Sequence, residues 1–323
     1  MPQQTGPEVG AGAARGDFDR LTFHAMGTQC QVLFRTPSFK VREQFRRAVV
    51  AWVTAFEANY SRFRPDSLVS RINAMAGRDW VETDGELDSI LKLCDWFTWR
   101  TGGVFDASTL PFVRLWDYQS DHPMIPGGEQ IRRALELVGW SKVQRRPGGI
   151  FLPHTGMGID LGGIGKEYAV DRVFEQSRQW AIEDIAVDFG RDLRVRGEPP
   201  EGGEWRVGLE HPLDPQRCSG GVAVRDRAVA TSGGYLRSFT AGGKSYSHIL
   251  DPRTGWPVDN GCQSVSVIAP TCTEAGVLST TAFVLGREKG LPLLEQAIHV
   301  EGCVWSGGEL FETRGLRRYW IDP

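Results

Sequence analysis

The stretch Gly158-Ile-Asp-Leu-Gly-Gly-Ile-Gly-Lys-Glu-Tyr-Ala-Val-Asp171 constrains this chain more than any other. A short apolar run ends in a glycine pair. Ile164, Tyr168, Val173 and Phe174 follow at spacings that put most of them on one helix face. Glycine lets a backbone turn sharply and come close to a ligand. The start of the next helix offers free N–H groups and the positive end of its dipole to an anion. Lys166, in the first turn, adds a point charge suited to phosphate. Two readings stay open: a phosphate site in a protein that handles a nucleotide, or a bare tight connection.

The chain has 323 residues, which is one large or two medium domains with ample core. Residues 1–16 are rich in Gly, Ala, Pro and Gln and read as a flexible tail before a domain spanning 17–323. The tail lacks a basic start followed by an apolar core, so it is not read as a secretory signal. The net charge of −3 gives no basic footprint for nucleic acid. There is no run of eighteen apolar residues, so no membrane span is expected. Cysteines at 30, 94, 218, 262, 272 and 303 form no C-x-x-C pair and join no histidine cluster, which argues against structural zinc. Scattered reduced thiols without a signal favour the cytoplasm.

Helical spacing is clear in Phe45, Val49, Trp52, Val53, Phe56 and Tyr60, and again in Leu87, Ile90, Leu91, Cys94 and Phe97, which stops at Thr101-Gly-Gly103. Further helices are expected from Glu129 to Val138 and from Glu274 to Leu285. Strands are expected at 30–34, 185–189, 205–210, 221–225, 228–231 and 264–269, with a turn at Pro147-Gly-Gly149. Strands outnumber regular βαβ alternation, so the fold class is α+β rather than a doubly wound sheet.

Two further groups carry polar chemistry. Ala230-Thr-Ser-Gly-Gly-Tyr235 and Tyr246-Ser-His-Ile-Leu-Asp-Pro-Arg-Thr-Gly255 set hydroxyls beside glycines, where they can bond phosphates or polar ring edges. His248 precedes an Asp-Pro-Arg-Thr-Gly turn that would hold it at a surface or cleft, either as a functional group or bonded to its own turn. Ser279, Thr280 and Thr281 lie within an apolar helix, where Ser and Thr usually bond back to the preceding turn.

Taken together and in order, these segments resemble the ApbE family of FAD:protein FMN transferases, over roughly residues 21–290. Met26-Gly27-Thr28 matches the family's opening M-G-T. Ser61 and Phe63, with Ser67, Ser70 and Asn73, match its early flavin-side loop. Gly103-x-Phe105-Asp106 with Thr109 and Pro111 is similar to its G-x-F-D-x-T-x-x-P. Asp160-Leu-Gly-Gly-Ile-Gly-Lys166 resembles D-L-G-G-I-A-K. Thr231-Ser232-Gly233, His248-Ile-Leu-Asp251-Pro and the Leu278-Ser279-Thr280 helix complete the set. The resemblance implies a T-fold-related, two-lobed fold of mostly antiparallel sheets flanked by helices. It implies FAD bound with a magnesium ion, transfer of FMN to a threonine hydroxyl of an acceptor flavoprotein, and release of AMP. By the same resemblance His248 and Lys166 are catalytic. The flavin nucleotide would meet Met26, Gly27, Thr28, Ser61, Phe63, Asp106, Gly162, Gly163, Lys166, Arg191, Thr231, Ser232, Gly233, His248 and Asp251. Gly163, Ser279 and Thr280 would adjoin the metal.

The chain departs from the family pattern at four positions. Gly276 stands where A-D-A-L-S-T has its Asp, Glu167 replaces the glycine of K-G-Y, Arg191 the second glycine of G-G-D, and Gly234 the acidic residue of T-S-G-D-Y. A carboxylate is the natural ligand of magnesium and glycine offers none, so magnesium is expected to bind weakly or not at all. An arginine can pair bidentately with phosphate, so Arg191 is expected to reach toward the ligand. The alternatives are a diverged protein that binds flavin or nucleotide without transfer, used in other, possibly biosynthetic, chemistry, and a non-catalytic scaffold.

Overall fold

A computed structural model describes residues 17–118, 124–234, 238–241 and 243–322. The tail at 1–16 and Tyr235 lie outside the described residues. Seven helices are described: α1 (Phe39–Tyr60), α2 (Leu68–Ala74), α3 (Gly85–Arg100), α4 (Leu110–Trp116), α5 (Gly128–Leu137), α6 (Gly165–Gln176) and α7 (Cys272–Gln296). An eight-stranded sheet, antiparallel at every pairing, runs in the order Phe18–Ala25, Thr28–Arg35, Ile185–Phe189, Asp192–Arg196, Ala228–Gly233, Cys262–Ala269, Glu301–Ser306, Glu309–Glu312. This is the expected α+β class. No described helix is long and apolar enough to cross a membrane.

Alternation along the strands decides what covers each face. Val187, Ala228, Ala230, Val265 and Val267 point into a core shared with Phe45, Val49 and Phe56 of α1, Val170 and Val173 of α6, and Val277 and Leu278 of α7. Their neighbours Val195, Val229 and Ile268 enter a second core with Trp205, Leu209, Val222 and Val224, from a three-stranded sheet on the opposite face. The main sheet is therefore sandwiched between helices and a smaller sheet.

Two local features are set by side chains from elsewhere in the chain. The run before Gly162 is not a strand. Asn73 takes the place of a strand partner for Ile159: its Oδ1 accepts from the Ile159 N–H (2.7 Å) and its Nδ2 donates to the Ile159 carbonyl (3.0 Å). The terminal helix runs past 285, but Gly286 breaks it with φ 71° and ψ 176°. Asn260 Nδ2 donates to the carbonyls of Phe283 and Val284 that the break releases.

α6 and α7 are fastened by Asp171, which closes the opening motif. Its carboxylate accepts from the Cys272 and Thr273 N–H groups (2.9 and 2.8 Å) and from the Thr273 hydroxyl, and it pairs with Arg194 at 3.0 Å. An acidic group at a helix N-terminus satisfies orphan donors and complements the dipole. Asp171→Ala is expected to destabilise the protein by about 3–5 kcal/mol, the cost of removing one partner of a buried charge pair. Asp171→Asn should cost less, with both values read from urea unfolding.

Candidate functional site

Two tight hairpin turns lie side by side at one end of the sheet. Met26 and Gly27 (φ 52° and 70°) join the first two strands, and Gly190 and Arg191 (φ 63° and 74°) join Ile185–Phe189 to Asp192–Arg196. A two-residue turn of this kind needs positive φ at both positions. A Cβ on Gly190 would stand 2.5 Å from Thr28 Oγ1, so the glycine also permits the close approach of the two turns. Arg191 does not join the groups gathered further in. Its guanidinium pairs with Glu210 of the small sheet and is 62% exposed.

Lys166, at the start of α6, is held between Asp192 and Glu167, whose Oε1 lies 3.1 Å from Nζ. Burial would lower the lysine's pKa, but the charges of Glu167 and Asp192 outweigh it and hold the ammonium protonated. Burial would raise Glu167, yet Lys166 keeps its carboxyl below the usual range. Burial, with Glu167 nearby, pushes Asp192 up to about 7 against the pull of Lys166. Asp192 Oδ1 also accepts from the Thr231 N–H at 3.2 Å. One carboxylate thus ties the glycine-turn helix to the hydroxyl strand.

Next along that strand, Ser232 Oγ lies 2.8 Å from both Ser279 Oγ and Thr280 Oγ1 of α7. Ser279 and Thr281 bond back to the carbonyls of Gly276 and Val277, as hydroxyls in helices do, while the bond shown for Thr280 runs outward to Ser232. Thr231 Oγ1 and Ser266 Oγ make a parallel contact at 2.8 Å. One turn before Thr280, Gly276 packs against Glu167. A Cβ there would lie 2.5 Å from Glu167 Cγ and 3.1 Å from its Cδ. Glu167 Oε2 is buried without a hydrogen-bond partner. Two of the four departures in the sequence are therefore a single contact.

The remaining expected residues are spread around this centre. Gly162 and Gly163 are exposed, and Asp160 closes their turn by accepting from the Gly162 N–H (2.9 Å) while it pairs with Arg62 (2.9 Å). Ser61 caps α1 and accepts from the Phe63 N–H, and the 61% exposed Phe63 ring lies under the Arg62 guanidinium. Asp106 serves its own loop, accepting from Ser108 and from the Trp140 N–H (2.8 Å). Asp251 holds the turn after His248 by accepting from the N–H and guanidinium of Arg253. Gly233 ends the hydroxyl strand, and a Cβ on the next residue, Gly234, would lie 3.3 Å from Ser247 Oγ. The segment carrying His248 thus approaches the same strand end. Beside it lies a cleft of about 220 Å³ lined by Tyr246, Trp256 and Asp259. The sequence reading missed Asp192 and Glu167 as site residues. The signal was the simultaneous loss of a carboxylate at 276 and gain of one at 167.

Residues 26–304 match the family model described as the ApbE family. A FAD:protein FMN transferase of Treponema pallidum is 32% identical over 289 residues, 84% of this chain and 80% of its own length. The ApbE protein of Thermotoga maritima superposes with a TM-score of 0.86 at 27% identity, covering 94% of this chain and 99% of the other. The flavinyl transferase ApbE of Pseudomonas stutzeri gives 0.82 at 26% identity, covering 92% and 95%.

Gly276→Ala is expected to destabilise by about 1–3 kcal/mol through overpacking against Glu167, although alanine favours a helix by about 1 kcal/mol. In a Glu167→Ala background the same change should become neutral or stabilising, so unfolding midpoints of the four proteins form a double-mutant cycle with a coupling of about 1–3 kcal/mol. Arg191→Gly should hold thermal stability within about 1 kcal/mol, because relief of the left-handed backbone offsets an exposed ion pair. Its flavin-nucleotide affinity should match wild type by fluorescence titration.

Proposed function

Because the chain belongs to the ApbE family, we propose that it binds FAD and transfers the FMN moiety to a threonine hydroxyl of an acceptor flavoprotein, with release of AMP. The observation that carries this reading is the junction at Asp192, which joins the helix start bearing Lys166 to the strand bearing Thr231 and Ser232. It gathers cationic, hydroxyl and N–H groups that suit a pyrophosphate. In the transfer, the threonine oxygen forms a bond to the FMN phosphorus, and the bond from that phosphorus to the bridging oxygen breaks. The electron pair leaves with AMP, and His248 takes the hydroxyl proton. An imidazole titrates near neutrality and can accept it at physiological pH.

Lys166 is held protonated by Glu167 and Asp192, and its ammonium can donate to the phosphates. The magnesium ion that the resemblance implies would lie at this end of α7. The buried, unpartnered Glu167 Oε2 and the hydroxyls of Ser279 and Thr280 are hard oxygen donors that fit it. When bound, such an ion neutralises charge on the phosphoryl oxygens. A cytoplasmic setting agrees with the cysteines, none of which is in a disulfide among the described residues.

Titration with FAD, followed by its fluorescence, tests the first step, and AMP release in the presence of an acceptor tests the second. Saturable binding well below about 100 μM is expected. FAD binding without AMP release would favour a flavin-binding protein that has lost transfer. His248→Ala should lower turnover by about 10²–10⁴-fold while FAD affinity stays within a few fold. Collapse of affinity with turnover per bound FAD intact would make His248 a binding residue instead.

A further inference from the structure

We infer that Glu167 is the carboxylate ligand of a divalent cation at this site, delivered from α6 into the space left over α7 by the missing side chain of Gly276. The inference deepens the flavin-transfer reading and rests on it. Glu167 is 7% exposed, and a carboxylate at that depth is costly unless its oxygens are engaged. Lys166 engages Oε1 at 3.1 Å, whereas Oε2 is buried without a hydrogen-bond partner. Buried polar atoms without partners are rare in folded proteins and point to an absent ion or water.

The surroundings say which ion. Side chains at i and i+4 of a helix stack, and the later one leans toward the helix start. Thr280 therefore leans back over Gly276, toward the space that the Glu167 side chain fills. Thr280 Oγ1 and Ser279 Oγ each lie 2.8 Å from Ser232 Oγ, about one turn along α7 from Gly276. One carboxylate with hydroxyl oxygens is a hard set suited to a cation of the magnesium class. Among the described residues no group of three or more His, Cys, Asp or Glu gathers to hold a metal ion, so hydroxyl oxygens must complete the set around the one carboxylate.

The geometry also makes positions 167 and 276 exclusive sources of one carboxylate. An aspartate at 276 would begin with its Cβ 2.5 Å from Glu167 Cγ, so the Glu167 side chain would have to move out of its present place to admit it. Removing one makes room for the other. The weak magnesium binding expected from Gly276 alone is thereby revised, since the missing carboxylate is replaced from a neighbouring helix.

Mn²⁺, used in place of Mg²⁺ for its paramagnetic signal, is titrated into the protein with and without FAD and followed by electron paramagnetic resonance, corrected for Mn²⁺ held by FAD alone. FAD binding is measured separately by fluorescence. Wild type is expected to hold Mn²⁺, and Glu167→Gln, which keeps the shape and removes the charge, to bind it about 10-fold or more weakly. Glu167→Gly should lose as much, Gly276→Asp alone should gain nothing, and the double variant Glu167→Gly/Gly276→Asp should recover to within a few fold of wild type. Equal Mn²⁺ affinity in wild type and Glu167→Gln overturns the inference, as does a double variant no tighter than Glu167→Gly. If Glu167→Gly does not fold, the Glu167→Gln comparison decides. Wild type that binds FAD but no Mn²⁺ overturns the cation site and leaves the flavin reading standing. Wild type that binds neither overturns both.

Discussion

The ammonium of Lys166, half-buried between two carboxylates, is the constraint around which this end of the molecule is arranged. A charge withdrawn this far from water is favoured by partners at hand, and they come from two directions. Asp192 is supplied by the main sheet and Glu167 by the lysine's own helix. Asp192 bonds Thr231 as well, so satisfying the lysine also fixes the spacing between α6 and the hydroxyl strand. The groups assigned to phosphate binding are therefore held by the same contacts that keep the charge from being orphaned. Preorganisation of this kind is what electrostatic catalysis requires, because nothing has to reorient as charge develops.

A second set of contacts holds α7 to that framework. Asp171 grips its first N–H groups from α6, and Arg194 of the sheet joins them. With the helix start fixed, Gly276 comes against Glu167 and Thr280 comes against Ser232. The glycine matters here for its volume. A helix interior does not favour glycine, and the compensation is the room it leaves for a neighbouring carboxylate.

The local features could be read from the chain. Helices α1, α3 and α5, the turn at Pro147-Gly-Gly149 and the strands around 185–189 and 264–269 follow from apolar spacing and glycine signals that act over a few residues. The ordered motifs likewise pointed to the family. Legibility failed where a long-range partner decided the outcome. The apolar run before Gly162 gives no local sign of its partner, and the hydrogen bonds of Ile159 go to the Asn73 side chain. Thr280 looked like a hydroxyl bonded back to its own helix. Thr281 behaves so and Ser279 bonds back as well, but both Ser279 and Thr280 also meet Ser232 across the strand. Arg191 occupies a turn beside the site, but its side chain is drawn to Glu210 on the other sheet.

By itself the sequence determined the α+β class, the glycine turn ahead of α6, the family, and the four positions that depart from its pattern. Those depend on backbone sterics and on periodicity along one segment, both carried by neighbouring residues. Whether the departures were related could be decided only by the tertiary structure. Glu167 and Gly276 lie on different helices far apart in the chain, and nothing local couples them. They meet because Asp171 docks α7 on α6, and because two side chains cannot fill the same volume in a close-packed interior.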